Sequence, residues 1–119
     1  MVLVDTSIWI DHFKKANGHL RKLLLEERVV MHPFVIGELA CGNLKNRAEI
    51  LSLLKSLPQS QKASQEEVLN FVETHRLAGR GIGLIDAHLL ASAVLSKAGL
   101  WTADRRLREV SSGLGVLFR

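Results

Sequence analysis

Short apolar runs alternating with helix-like stretches predict an α/β layer fold, with a mostly parallel central sheet flanked by helices in a single domain. Three observations carry that expectation. Apolar runs too short for helices recur at Val2-Leu3-Val4, Val29-Val30-Met31, Leu100-Trp101-Thr102 and Val116-Leu117-Phe118. Between them, apolar residues recur at helical spacing, and Asn, Gly, Pro or Ser punctuates the ends. The 119 residues suit one core, and no repeat, linker or low-complexity tract divides them, so one domain is expected over residues 1–119.

Val2-Leu3-Val4 reads as the first strand, ending at Asp5-Thr6-Ser7, where turn and cap chemistry begins. Ile8 to Phe13 then forms a short helix, stopped before Asn17-Gly18. A second helix runs from about His19 to Glu27, with Leu20, Leu23 and Leu24 on one face. Leu23, Leu24 and Leu25 are consecutive, so at least one of them points away from the main core. Val29-Val30-Met31 is the next strand, followed by Pro33, which suits a helix's first turn. Phe34 to Ala40 continues as helix, with Gly42-Asn43 as its stop. Ile50, Leu51, Leu53, Leu54 and Leu57 mark an amphipathic helix ended by Pro58, and Gln59 to Lys62 suggests a small polar strand. Ser64 and Glu67 have capping-box spacing and open a helix to about Ala78. Gly79, Gly81 and Gly83 lack the GxxxxGK pattern of a phosphate loop and read as turn residues. A helix over Ile85 to Ala98, a strand at Leu100-Trp101-Thr102, a helix over Asp104 to Val110 and a last strand at Val116-Leu117-Phe118 complete the chain.

A composition of 47% apolar and 24% charged residues excludes a disordered tail or a fibrous repeat. No apolar run approaches the roughly 18 residues of a membrane span. The best stretch, Ala87 to Leu95, is short and carries His88 and Ser92. The opening residues lack the basic start and length of a signal peptide. The single cysteine, Cys41, excludes an internal disulfide framework and a thiolate zinc site, and is expected to be a small buried residue. A cytoplasmic protein with no membrane partner is the simplest expectation. Sixteen Lys plus Arg against twelve Asp plus Glu give a net charge of +4, which favours a polyanionic partner.

The acids carry more information than their number. Asp5 directly follows the first strand, and Glu38 is the only Asp, Glu, Lys or Arg between Val29 and Leu44. Asp86 is alone between Gly81 and Ser96, in the first turn of a nearly apolar helix, and Asp104 follows a strand after one residue. In an open parallel sheet such positions converge on the crevice beyond the strands' carboxyl ends. Glu38 shares its helical face with Phe34, Val35, Cys41 and Gly42, a face expected to pack inward, where an unpaired carboxylate is costly. Converging acids repel unless a cation joins them, and oxygen-only ligands favour a hard divalent ion, Mg²⁺ or Mn²⁺, over zinc. Taken singly, Asp5, Asp86 and Asp104 are also explained as plain helix caps. The joint pattern favours a site, since a basic surface suits a phosphate backbone while acids suit metals that neutralise the reacting phosphate.

Four segments carry a family resemblance: Val4-Asp5-Thr6-Ser7-Ile8-Trp9-Ile10-Asp11, Gly37-Glu38-Leu39, Gly81-Ile82-Gly83-Leu84-Ile85-Asp86-Ala87-His88-Leu89-Leu90 and Leu100-Trp101-Thr102-Ala103-Asp104-Arg105-Arg106-Leu107. Together, and in this order over essentially the whole chain, they resemble PIN-domain proteins, specifically the VapC-type toxins of bacterial toxin–antitoxin pairs. The resemblance implies a PIN-like three-layer fold and a Mg²⁺- or Mn²⁺-dependent endoribonuclease whose catalytic and metal-binding acids map onto Asp5, Glu38, Asp86 and Asp104. It further implies a homodimer and a small antitoxin protein that occludes the site. On this reading Asp5 and Asp86 are the primary ligands, Asp104 completes the site, and Glu38 orients water or a second ion.

Lesser residues have blander expectations. Thr6, Ser7 and Thr102 stand beside acids, where they serve as ligand partners or plain caps. Asp11 is expected to pair with Lys14 or Lys15, and His88 to be a hydrogen-bonded structural residue. His12, His19, His32, His75 and His88 lack HxxxH or HxH spacing, which argues against a histidine metal site. Arg76, Arg80, Arg105, Arg106 and Arg108 are candidate RNA contacts or simply solvated helix residues. A DNA- or flap-cutting nuclease would use the same acids. A phosphoacceptor receiver module needs an acidic pair after strand one and a late Lys, whereas Asp5 is followed by Thr6-Ser7 and no Lys lies beyond Lys97. A haloacid dehalogenase-type phosphotransferase would want Asp-x-Asp at the same place.

Overall fold

The computed structural model describes residues 1–119 and contains the expected α/β architecture, built on a parallel sheet. Strand β1 (Val2–Val4) leads into helix α1 (Thr6–Lys14), then α2 (Gly18–Leu25), β2 (Val29–Val30), α3 (Pro33–Cys41), α4 (Arg47–Ser56), α5 (Gln65–Thr74), α6 (Leu84–Ser96), β3 (Gly99–Trp101) and α7 (Arg105–Gly113). The sheet order is β2-β1-β3, with Val2 paired to both Val29 and Gly99, and Leu3 to both Val30 and Leu100. β1 is therefore central, and the chain leaves it in one direction to β2 and returns on the other side as β3. The point where the order reverses, between β1 and β3, is where an open parallel sheet forms a crevice at its carboxyl edge.

All three β1 residues are buried, although successive side chains point to opposite faces, so the sheet is covered on both sides. Leu3, Leu89, Leu90, Leu100 and Leu107 are fully buried and tie β1 to α6, β3 and α7 in one core. In α6 every residue from Ala87 to Ala93 is buried, as the near absence of charge in that stretch requires.

Local chemistry fixes the helix starts. Asn17 caps α2 through the Leu20 amide, Pro33 occupies the first turn of α3, and Ser64 with Glu67 forms the expected capping box on α5. Two expected strands shrink. Gln59 makes only a single parallel bridge to Met31, and Leu117 one to Leu100, so the Gln59–Lys62 and Val116–Phe118 segments extend the sheet at one residue each. The α5 helix stops at Thr74 rather than near Ala78, because Arg76 turns left-handed (φ 53°) and Leu77 folds back to the Val72 carbonyl. Of the three consecutive leucines, Leu25 is the one that faces solvent, at 78% exposure.

Candidate active site

Asp5 ends β1 and caps α1. Its Oδ1 accepts from the Thr6 amide at 2.7 Å, and its Oδ2 accepts from Ser7 Oγ at 3.0 Å and Thr102 Oγ1 at 2.6 Å. Its own amide donates to the Trp101 carbonyl at 2.9 Å, so β3 and β1 hold this residue between them. The buried Thr102 hydroxyl also accepts the Asp104 amide at 3.1 Å, which links the ends of the two strands. Asp104 in turn caps α7, its Oδ1 accepting from the Leu107 amide at 2.9 Å. Asp86, in the first turn of α6, folds its Oδ2 back to the Gly83 amide at 3.2 Å. Glu38 Oε1 accepts from Thr6 Oγ1 at 2.8 Å, which ties α3 to the start of α1.

Capping and site chemistry therefore coexist. The three aspartates each satisfy helix-end amides, yet Asp86 Oδ1, Asp104 Oδ2 and Glu38 Oε2 have no protein hydrogen-bond partner. The two ion pairs of the molecule, Arg28–Glu26 and Arg105–Glu109, touch none of the four acids. Asp86 is pushed above the usual carboxylate range by burial, and further by the charges of Asp5, Asp104 and Glu38, against a lowering contribution from the Gly83 amide. All three other acids thus act on one carboxyl in one electrostatic neighbourhood. They do not close a ligand cage, since no three acidic, His or Cys side chains stand in metal-holding geometry. The donor set, four carboxylates without cationic partners, fits a hard divalent ion and not a soft one.

Several expectations need correction. Glu38 is exposed, not buried: α3 packs inward through Val35 and Leu39, while Phe34, Cys41 and Gly42 face outward with Glu38. Cys41 is consequently exposed. Asp11 forms no ion pair with Lys14 or Lys15; its carbonyl instead accepts the Lys15 amide at the end of α1. His88 is buried and hydrogen-bonded to Gln65 Oε1 at 3.1 Å, as expected of a structural residue. Arg47, which the sequence did not single out, donates to the Ala40 and Gly42 carbonyls and closes the C-terminal end of α3 just beyond Glu38. A basic residue five positions after Gly42 was the available signal.

Thr102 is the hinge of this network, and its sequence position showed adjacency but not the bridge. Replacing it with Val keeps the shape, removes a donor to Asp5 and leaves the Asp104 amide without its acceptor. Thr102→Val is expected to lose about 1–3 kcal/mol in denaturant unfolding, whereas Thr102→Ser retains most of the stability.

The fold is that of a known class. The chain matches the family model described as the PIN domain over residues 2–113, and it belongs to that family. Its relatives include Ribonuclease VapC32 of Mycobacterium tuberculosis, 45% identical over 117 residues, covering 98% of this chain and 94% of the relative, in strains CDC 1551 / Oshkosh and ATCC 25618 / H37Rv alike. The likeness within the family is thus to a VapC-type protein. Among solved structures, PAE2754 from Pyrobaculum aerophilum aligns with a TM-score of 0.63 at 21% identity, covering 94% of this chain and 80% of that one, a likeness of fold.

Proposed function

We propose that this chain is a metal-dependent endoribonuclease toxin of the VapC type, a single PIN domain over residues 1–119 that works in the cytoplasm and hydrolyses RNA phosphodiester bonds. The observation that carries the reading is that Thr6 bridges Asp5 to Glu38 and Thr102 bridges Asp5 to Asp104, while the charges of these three acids act on Asp86 and none of the four has a cationic partner. The 45% identity to a protein named as a ribonuclease supports RNA as substrate.

Asp5, Asp86, Asp104 and Glu38 would hold Mg²⁺ or Mn²⁺. Such an ion, when bound, polarises water and offsets charge on the phosphoryl oxygens. Asp5 is the fixed point, because Thr6, Ser7 and Thr102 set its orientation. Asp86 and Asp104 each keep one oxygen free of protein hydrogen bonds at a helix start. Glu38 is exposed, with Thr6 holding one oxygen, and it orients the attacking water with the other. Water is the nucleophile, so the chemistry needs no Ser-His or Cys-His pair.

A groove of about 730 Å³ runs beside the site, lined by Ile10, Phe13, Leu44 and Ile50, with Glu38 and Lys14 also on its wall. An apolar helix or strand of a small antitoxin protein lying there would cover Glu38, which supports the occluding partner of this reading. The exposed Leu25 and Leu53 add apolar surface suited to that partner or to a second copy in a homodimer. No helix is long and apolar enough to cross a membrane.

The test is cleavage of total cellular RNA by purified protein. Discrete fragments are expected with Mg²⁺ or Mn²⁺, none with excess chelator, and full recovery when Mn²⁺ is restored. Cutting that persists in chelator would reject the metal-dependent reading. Cutting of single-stranded or branched DNA, with RNA left intact, would move the substrate class to DNA.

A further inference from the structure

Three arginines follow Asp104 on α7, and the structure treats them differently. Arg105 Nε pairs with Glu109 Oε1 at 3.4 Å along the helix surface. Arg108 Nη1 donates to the Thr102 carbonyl at 3.4 Å. Arg106 has neither an ion pair nor a hydrogen bond. Its side chain crosses from α7 to the loop that leads into α6 and lies against Gly81. A Cβ at Gly81 would meet Arg106 Cδ at 2.5 Å, Nη1 at 2.8 Å and Nε at 3.0 Å. Gly81 also holds φ +81°, a conformation that L side chains rarely adopt, so its backbone favours glycine, and a Cβ there would push the flexible end of Arg106 aside.

The placement has a chemical consequence. Arg106 is two residues beyond Asp104, and its resting place, Gly81, is two residues before Gly83, the amide held by Asp86. An exposed guanidinium thus lies between the two acid-bearing segments without pairing to either. Its planar fork of donors matches phosphate oxygens, and packing against Gly81 lowers the side-chain entropy lost on binding.

The geometry points to Arg106 as the seat for a backbone phosphate of the bound RNA adjacent to the one that reacts, with Gly81 as the surface that positions the guanidinium. This assignment rests on the nuclease reading above. Arg106 is a positioning residue for substrate, not a participant in bond cleavage.

The experiment measures binding of a fluorescent single-stranded oligoribonucleotide to Asp5→Asn protein over a range of KCl concentrations, alongside steady-state cleavage in the otherwise wild-type chain. Adding Arg106→Gln is expected to weaken binding about tenfold and to reduce the slope of log K against log salt by about 0.7, the value for one lost phosphate contact on a single strand. KM should rise with kcat within about twofold, the signature of lost uniform binding, and the melting temperature should not move. Arg106→Lys should restore the salt slope but only part of the affinity. Gly81→Ala, which keeps the charge but displaces the guanidinium, should reproduce the loss, and combining it with Arg106→Gln should add little. Arg105→Gln should leave affinity within about twofold. An unchanged affinity and slope in Arg106→Gln would overturn the assignment while leaving the nuclease reading intact. Equal losses in Arg105→Gln and Arg106→Gln would also overturn it, since that result describes a diffuse basic face. If the wild-type chain neither binds nor cuts RNA, the nuclease reading fails and this assignment fails with it.

Discussion

Asp5→Asn is expected to lower RNA cleavage by at least about a hundredfold, equivalent to about 2.7 kcal/mol of transition-state stabilisation, with the fold retained. The fold survives because Asn still offers an oxygen to the Thr6 amide, and its NH₂ group faces the Ser7 and Thr102 hydroxyls, which rotate to accept. The activity does not survive, because one negative charge is removed from the most rigidly held member of the acidic cluster. Asp5 takes hydrogen bonds from residues 1 and 2 positions along and from one 97 positions away. Cleavage rate in Mg²⁺ and a circular-dichroism melt, measured on the same preparation, separate the two effects. A variant that cuts at the wild-type rate would remove Asp5 from the site. A variant that no longer melts cooperatively would show the residue to be structural first.

Acid is expected to weaken the fold through His32. This residue lies two positions beyond β2 and caps α3: its Nδ1 accepts the Phe34 amide at 3.0 Å, so the proton of the neutral ring sits on Nε2, which is buried without a partner. Burial, then the neighbouring His88 and then Lys62, push its pKa down from 6.5 to about 4. Unfolded, the imidazole takes up a proton near pH 6.5; folded, it does so only near 4. Between those values the unfolded chain binds more protons, so stability falls as pH drops from about 6.5 toward 4, and the loss is complete below that. The shift corresponds to about 3 kcal/mol, or on the order of 10 °C in melting temperature for a domain of this size. His12 and His88 are also lowered and act in the same direction, whereas the raised Asp86 acts in the opposite one. Thermal melts from pH 7.5 to pH 4 should show the decline, and His32→Asn, which retains a capping acceptor, should flatten it. A His32→Asn profile parallel to wild type would assign the decline elsewhere.

The fold was legible in the sequence where local chemistry and packing agree. Pro33, Asn17 and the Ser64–Glu67 box announced helix starts, and short Val- and Leu-rich runs announced β1, β2 and β3. Helix ends were less legible. Glu27, Arg76 and Lys97 close α2, α5 and α6 in the left-handed region, a task usually signalled by glycine. The orientation of α3 is not legible for a related reason. Eight of its nine residues are uncharged and most are apolar, so the pattern does not say which side packs; contact with the rest of the core buries Val35 and Leu39 and turns Glu38 outward. The positions of Asp5, Asp86 and Asp104 at strand ends and helix starts were legible because sheet topology dictates them. The Thr102 bridge and the Arg106–Gly81 contact were not, since each joins segments that only the folded chain brings together.

The central place of β1 has a consequence for how the protein is made. β1 must wait for one of its two neighbours until residues 99–101 are synthesised, and Asp5 waits equally long for the hydroxyl of Thr102. A nascent chain that stops short of residue 99 has an open sheet flank, an Asp5 without its Thr102 partner and no Asp104. Pairings so distant along the chain also close slowly. The residues that fix Asp5 and place Asp104 therefore come together only after β3 and the start of α7 have been made, long after the strand that carries Asp5.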